Sequence, residues 1–264
     1  MIGHFGVVTM HVLQMWAVCV LFGAGEGGQA KGNVEEMLTG PRWEVAPEVS
    51  YYRYAEPGTM KIDGFLYGVA ASYTYYRPRG LFRVDGEFAV GAVDYEGSLT
   101  DGTPYTMEGC TDFLLNLRLL WGRSYPLEGW DNLFYAGLGY RGLNDYSLQD
   151  PAGYDRQSNY FYLPLGLKTY HRLTGHWQIG VGGELDLLLL GLQISGIDDG
   201  VVNVQWPGFG ARASVELRHR DKAADLAIAP FVQYWWVEES NTSRGWYEPR
   251  NNTIQYGLSL IWRF

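Results

Sequence analysis

The chain ends Thr253-Ile-Gln-Tyr-Gly-Leu-Ser-Leu-Ile-Trp-Arg-Phe264, and the alternation in this stretch governs how everything before it reads. Ile254, Tyr256, Leu258, Leu260, Trp262 and Phe264 occupy one set of alternate positions, while Thr253, Gln255, Gly257, Ser259, Ile261 and Arg263 occupy the other. Successive side chains of an extended chain point to opposite faces, so only a strand sorts residues in this way. One face is large and apolar; the other is mostly small or polar.

The same sorting recurs upstream. Phe209, Ala211, Ala213, Val215 and Leu217 oppose Gly210, Arg212, Ser214, Glu216 and Arg218; Leu226, Ile228, Val232, Tyr234 and Trp236 oppose Asp225, Ala227, Ala229, Gln233 and Trp235. Phe82, Val84 and Phe88 oppose Arg83, Asp85 and Glu87; Phe113, Leu115, Leu117 and Trp121 oppose Asp112, Asn116 and Arg118; Trp177, Ile179, Leu185 and Leu187 oppose Gln178, Glu184 and Asp186. Softer alternation covers 44 to 55, 60 to 76, 132 to 142 and 159 to 170, which brings the count to ten strands. Short links at Arg77–Gly80, Ser124–Asp131, Arg172–Gly175 and Arg220–Lys222 alternate with long ones at Asp94–Glu108, Leu143–Ser158, Ser195–Gln205 and Glu238–Asn251. The first outer link, Glu56-Pro57-Gly58-Thr59, is instead a tight Pro-Gly turn.

After Lys31 no run of eighteen apolar residues occurs, so a membrane crossing there must be built from strands. A mean hydropathy of −0.17 does not oppose this, because a membrane barrel is apolar only in every second residue. Aromatics make up 16% of the chain, and the outward ones cluster toward strand ends: Phe82, Trp121, Phe134, Trp177, Trp262 and Phe264 at one rim, Tyr51, Phe65, Tyr140, Phe161, Phe209 and Trp236 at the other. Two aromatic girdles bracketing an aliphatic band, with an even strand count, predict an all-β, antiparallel up-and-down transmembrane barrel over 43–264. A soluble β-sandwich or lipocalin-like barrel also alternates, but it turns its apolar face inward.

Residues 1–30 read as a signal peptide, with an apolar run over 5 to 24 and small residues at Gly28-Gln29-Ala30 that predict cleavage before Lys31. A retained helix of similar length is the rival reading, and Trp16-Ala17-Val18 before Cys19 makes a poor lipobox. Residues 31–42 then form a periplasmic segment. Cys110 is left without an intramolecular disulfide partner once Cys19 is removed. A net charge of −9 argues against nucleic acid, which requires clustered Lys and Arg.

Tyr256-Gly257-Leu258-Ser259-Leu260-Ile261-Trp262-Arg263-Phe264 resembles the C-terminal assembly signal of Gram-negative outer-membrane β-barrel proteins. Its marks are the terminal Phe264 and the apolar Tyr256, Leu258, Leu260 and Trp262 at every second position before it. The resemblance implies residence in the outer membrane and insertion by the barrel assembly machinery. It also implies contact with outer-membrane lipids and lipopolysaccharide; the protein is expected to be a monomer. Enzymes on such barrels, the omptin proteases and lipid A-modifying hydrolases among them, generally use His with Asp or Ser near the outer surface. Here the histidines after the leader, His171, His176 and His219, fall at expected periplasmic turns, and no Asp-x-His triplet occurs. Asp198-Asp199 reads as a solvated turn.

No catalytic, cofactor or metal residue is therefore assigned. The inward charges Glu48, Arg83, Asp85, Glu87, Asp112, Arg118, Arg141, Lys168, Glu184, Asp186, Arg212, Glu216 and Arg218 are nearly balanced, which predicts ion pairs bridging a polar lumen, since unpaired buried charges are costly. Inward Gly137, Gly139, Gly180, Gly182 and Gly257 point to residual water-filled space. The expected function is a non-enzymatic barrel serving envelope structure or surface binding through its outer loops. The alternatives are a narrow solute channel and a surface hydrolase.

Overall fold

A computed structural model of the protein describes residues 40–77, 80–99, 102–127, 129–146, 154–197, 200–221 and 224–264. The expected leader and the Asp198-Asp199 turn lie outside the described residues. Among the described residues eleven strands follow one another: β1 (Gly40–Glu56), β2 (Met60–Arg77), β3 (Gly80–Ser98), β4 (Pro104–Leu127), β5 (Trp130–Tyr146), β6 (Arg156–Arg172), β7 (Trp177–Ser195), β8 (Val201–Gln205), β9 (Gly208–Arg220), β10 (Asp225–Val237) and β11 (Asn251–Arg263). β1 begins inside the segment expected to precede the barrel, pairing Gly40–Trp43 with Tyr73–Tyr76.

Every pairing is antiparallel, and closure comes from β1 against β11 and β6 against β7. β8 and β9 both pair with β7, β8 at Gly191–Ser195 and β9 at Trp177–Leu187, so they share one wall position and the barrel has ten. The break between them falls at Trp206-Pro207, where proline offers no N–H to a ladder.

The register fixes how strongly the strands lean. Following hydrogen-bonded partners once around the wall, Trp177 leads through His219, Leu226, Trp262, Val45, Ala71, Gly86, Leu117, Tyr140 and Phe161 to Leu190, well above the start on the same strand. Such a stagger demands tilted strands. A tilted strand needs about 9–11 residues to cross a bilayer. Most strands here are longer, β4 running to 24 residues, so the hairpins stand out beyond it.

This corrects two of the expected long links, while the one between β10 and β11 is as long as expected. β3 and β4 stay paired out to Ser98 and Pro104, leaving only Leu99–Thr103 as a link, and β7 pairs with β8 out to Ser195 and Val201. On β3–β4 the outward residues turn polar, as a strand's do once it leaves the membrane, so the segment read as a loop; on β7–β8 they stay apolar, and it was the five-residue length of β8 that hid the strand. The Pro-Gly turn is as tight as expected, with the Thr59 amide donating to the Glu56 carbonyl at 2.9 Å and Gly58 in the left-handed region at φ 84°.

The wall is apolar outside. Large side chains such as Phe65, Leu117, Leu138, Val215 and Leu258 are exposed around the barrel, the reverse of a soluble sandwich. The girdle residues meet across strands: Phe82 with Trp121 at 5.6 Å between ring centroids in the lower girdle, and in the upper one Tyr51 with Phe65 at 5.6 Å, Tyr140 with Phe161 at 5.2 Å and Phe209 with Trp236 at 5.8 Å. On β7 a bulge at Leu189 and Leu190 moves the inward set from Leu188 to Gly191, Gln193 and Ser195.

Four of the five inward glycines do not hold space for water. A Cβ on Gly139 would lie 2.2 Å from the Tyr162 ring, and one on Gly180 would lie 2.7 Å from the Tyr170 ring. At Gly137 and Gly257 the carbonyl oxygens of Leu119 and Val49 approach to 2.0 and 2.3 Å of where a Cβ would stand. These glycines let a neighbouring ring or strand lie flat against the wall; Gly182 alone of the five lines open space.

Candidate functional site

Among the described residues, side chains from the strands converge in the lumen, and its chemistry changes along its length. From the periplasmic end, β1 points inward with Glu44, Ala46, Glu48, Ser50, Tyr52, Tyr54 and Glu56. Likewise β10 runs from Asp225 through Ala227 and Ala229 to Gln233, Trp235 and Val237. Charge gives way to aromatic bulk.

In the periplasmic half an ionic chain crosses the barrel. Arg263 bridges Glu216 at 2.9 Å and Glu44 at 2.6 Å; Arg83 joins Glu44 at 2.8 Å to Asp85; Arg118 joins Asp85 at 2.8 Å to Glu184 at 2.7 Å. Because β4 and β7 are not neighbours in the wall, the Arg118–Glu184 pair spans the lumen. Arg212 of β9 reaches Glu87 of β3 at 3.4 Å in the same manner, and Asn116 donates to that carboxylate at 2.9 Å. Arg218 pairs locally with Asp225. Within this chain, alternating signs let each carboxylate face a guanidinium, which offsets the desolvation that a lone charge would suffer.

Not every residue expected in the network joins it by an ion pair. Ser259 donates to Glu48 at 2.6 Å. Arg141, fully buried, donates to Gln233 at 3.3 Å and lies over the Trp235 ring at 5.9 Å. Lys168 faces the cavity wall. Asp186 and Asp112 are buried, and neither Asp186 oxygen nor Asp112 Oδ1 has a hydrogen-bond partner among the described residues. The cavity enclosed by this half is about 140 Å³, bounded by Glu48, Arg83, Arg118, Lys168 and Arg212 with the small Ala46, Gly182 and Ala229 between them. That is below the roughly 300–1,000 Å³ of sites that take drug-sized ligands.

The outer half corrects the expectation of a polar lumen throughout. Tyr52, Tyr54, Ile62, Leu66, Val93, Leu114, Tyr160, Tyr162, Leu188, Trp235 and Val237 form one buried cluster. Trp235 stacks on Tyr160 at 5.9 Å and meets Tyr162 edge-on at 5.1 Å. Gln193, Gln205 and Gln255 point inward beside the cluster, each almost wholly buried. Most of these residues sit at inward positions of the sequence alternation, where parity could have located them and size was the overlooked signal; the β7 bulge puts Gln193 out of that parity, and Gln205 lies in a segment that read as a link.

Above the plug, Arg156 gathers three carboxylates: Glu56 at 2.8 Å, Asp145 at 3.6 Å and Glu248 at 3.9 Å. Tyr54 donates to Glu56 at 2.9 Å and Ser195 to Glu248 at 2.6 Å. Burial pushes the Glu248 carboxyl above its ordinary value. Glu248 belongs to the segment between β10 and β11, which is sewn across the β7–β8 hairpin: Asn203 donates to the carbonyls of Asn241 at 2.8 Å and Trp246 at 3.0 Å, and Asn241 accepts from the Val204 amide at 2.7 Å. The mouth is thus covered by a lid tied down on one side. Alternation alone could not disclose a contact between a loop and a distant hairpin.

The histidines lie at the opposite end. His171 Nδ1 is 2.7 Å from the Gly129 carbonyl, and His176 stacks on His219 at 5.9 Å. Among the described residues no group of three His, Cys, Asp or Glu is arranged to hold a metal ion. Cys110 is buried as a free thiol.

No family model matches the chain, and no curated protein matches its sequence. Solved structures do resemble it. The outer-membrane protease OmpT from Escherichia coli is similar at a TM-score of 0.52 with 10% identity, over 85% of this chain and 96% of that one. OprG, an outer-membrane protein from Pseudomonas aeruginosa, aligns at a TM-score of 0.43 with 10% identity over 86% and 97% of the two chains. Neisserial surface protein A aligns at 0.36 with 8% identity over 84% and 95%. With the ten-position closed wall, the apolar exterior and the paired girdles, the likeness to OmpT identifies the fold.

Proposed function

We propose that this Gram-negative outer-membrane β-barrel is a non-enzymatic, non-conducting protein that serves envelope structure or surface binding through its protruding hairpins. The observation that supports this is the plug. Trp235, Tyr160, Tyr162, Leu66, Leu114 and Arg141 are fully buried across the outer half of the lumen, and protein interiors packed in this way admit no file of water. The Arg156 cluster and the lid add a second closure above them. The working surface is then the outside of the molecule.

In this reading the barrel assembly machinery inserts the chain through Tyr256, Leu258, Leu260, Trp262 and Phe264, and a single copy sits among outer-membrane lipids and lipopolysaccharide. Reconstitution in planar bilayers separates it from the channel reading. Wild-type protein should leave the bilayer at its background current over hours, and unitary steps abolished by enlarging plug residues would establish a pore instead.

A further inference from the structure

The apolar belt does not have the same height around the barrel. On most strands it stops at the outer girdle, and the outward residues just beyond are polar: Lys61 and Asp63 on β2, Asp94 on β3, Asn144 on β5, Gln157 on β6 and Asn252 on β11. On the β7–β8 hairpin the corresponding positions are Leu192, Ile194, Val202, Val204 and Trp206. Val202, paired with Ile194, is 51% exposed, and Trp206, just past the end of β8, is 66% exposed. Each residue of a tilted strand climbs about 2.5 Å, so this patch rises about 10 Å above the girdle.

We infer that the outer face of the β7–β8 hairpin is a lipid-contacting wing, covered by acyl chains of the outer leaflet. Continuity identifies the occupant. Below Leu192 the same strand presents Leu190, Leu187, Leu185 and Val181 to the membrane without an intervening charged residue, so the patch is an upward extension of the belt rather than an island. A taller apolar wall draws the leaflet up beside it, because exposing the wall to water costs more than thickening the bilayer locally. The opposite face of the hairpin is already committed to the lumen and lid through Gln193, Ser195 and Asn203. Lipids would therefore be sorted against one side of the barrel, next to the strand that carries the lid's attachments.

The test places a single nitroxide label on full-length protein carrying Cys19→Ala and Cys110→Ala, at Val202→Cys or Val204→Cys, with Lys61→Cys and Asn144→Cys as level-matched controls. After reconstitution in phosphatidylcholine vesicles, collision with oxygen is compared with collision with a water-soluble nickel chelate. Labels at 202 and 204 should favour oxygen several-fold over the controls, as a label replacing Leu187 does. Favouring nickel as the controls do would overturn the proposal, and so would spin–spin broadening, which would mean that a second copy covers the patch. If a labelled chain does not fold, quenching by acyl-brominated lipids read as the difference between wild type and Trp206→Phe serves instead. Loss of a quenchable component supports the wing; no difference refutes it.

Discussion

Replacing Trp235 by alanine is the sharpest perturbation of the plug. The side chain is fully buried, stacked on Tyr160, edge-on to Tyr162 and covered by the Arg141 guanidinium, and it fills the notch left by Gly210, where a Cβ would lie 2.5 Å from the indole. Truncating a buried Trp or Phe to Ala costs about 3–5 kcal/mol. Two lost aromatic pairs at about 0.5–1.5 kcal/mol each, within that total, place this site toward the upper end. The stiff closed wall cannot collapse into the gap. Trp235→Phe should cost much less, because one ring still faces Tyr160 and Tyr162. Urea titration in lipid vesicles, scored by heat-modifiable gel migration, gives the difference by linear extrapolation. The alanine variant should still be silent in planar bilayers, since Tyr52, Tyr54 and the Arg156 cluster lie outward of the gap. A loss below about 1 kcal/mol, set against the 3–5 expected, would show that Trp235 is not packed as described.

Other consequences are open to measurement. Arg118→Met leaves Glu184 without its ion-pair partner, while Asp85 keeps Arg83, and should destabilise by about 3–5 kcal/mol in the same titration, with most of the loss recovered when Glu184 is also made an amide. Gly139→Ala should cost about 1–3 kcal/mol by pushing on the Tyr162 ring, and a smaller residue at 162 should restore stability. The Glu248 carboxyl is raised by burial, so the folded lid holds its proton better than the free segment does. Its contribution is present below the ordinary value of 4.5 and is lost as pH rises through the raised one. Hydrogen exchange over Glu238–Arg250 should accordingly quicken with pH beyond the intrinsic rate, and Glu248→Gln should flatten that dependence. Removing Phe264 should lower the fraction of chain recovered folded from the outer membrane while leaving the stability of correctly inserted molecules nearly unchanged.

The strand pattern carried most of the architecture because period two survives wherever one face meets lipid. Thr253–Phe264 shows this: its apolar set is outside and its Gln255, Ser259 and Arg263 are inside, paired to β1 and β10. The pattern says which face a residue takes, but not what lies opposite it across the lumen. Arg118 and Glu184 were both legible as inward charges; that they meet depends on the stagger of strands between them. The same limit hid the plug. Tyr160, Tyr162 and Trp235 alternate correctly, and only the closed wall brings them into one layer. Gly139 was misread because an absent side chain looks like space in a sequence and like a seat for Tyr162 in the fold. Beyond the membrane the β3–β4 hairpin lost the apolar signal on its outer face, so its paired strands read as a loop.

The arrangement as a whole stands on an apolar exterior around a filled interior, and envelope fractionation with heat-modifiable migration tests it most directly. The protein should remain in the outer-membrane fraction after alkaline extraction and run as a compact band that shifts only on boiling. Recovery as soluble periplasmic protein with no shift would contradict the account.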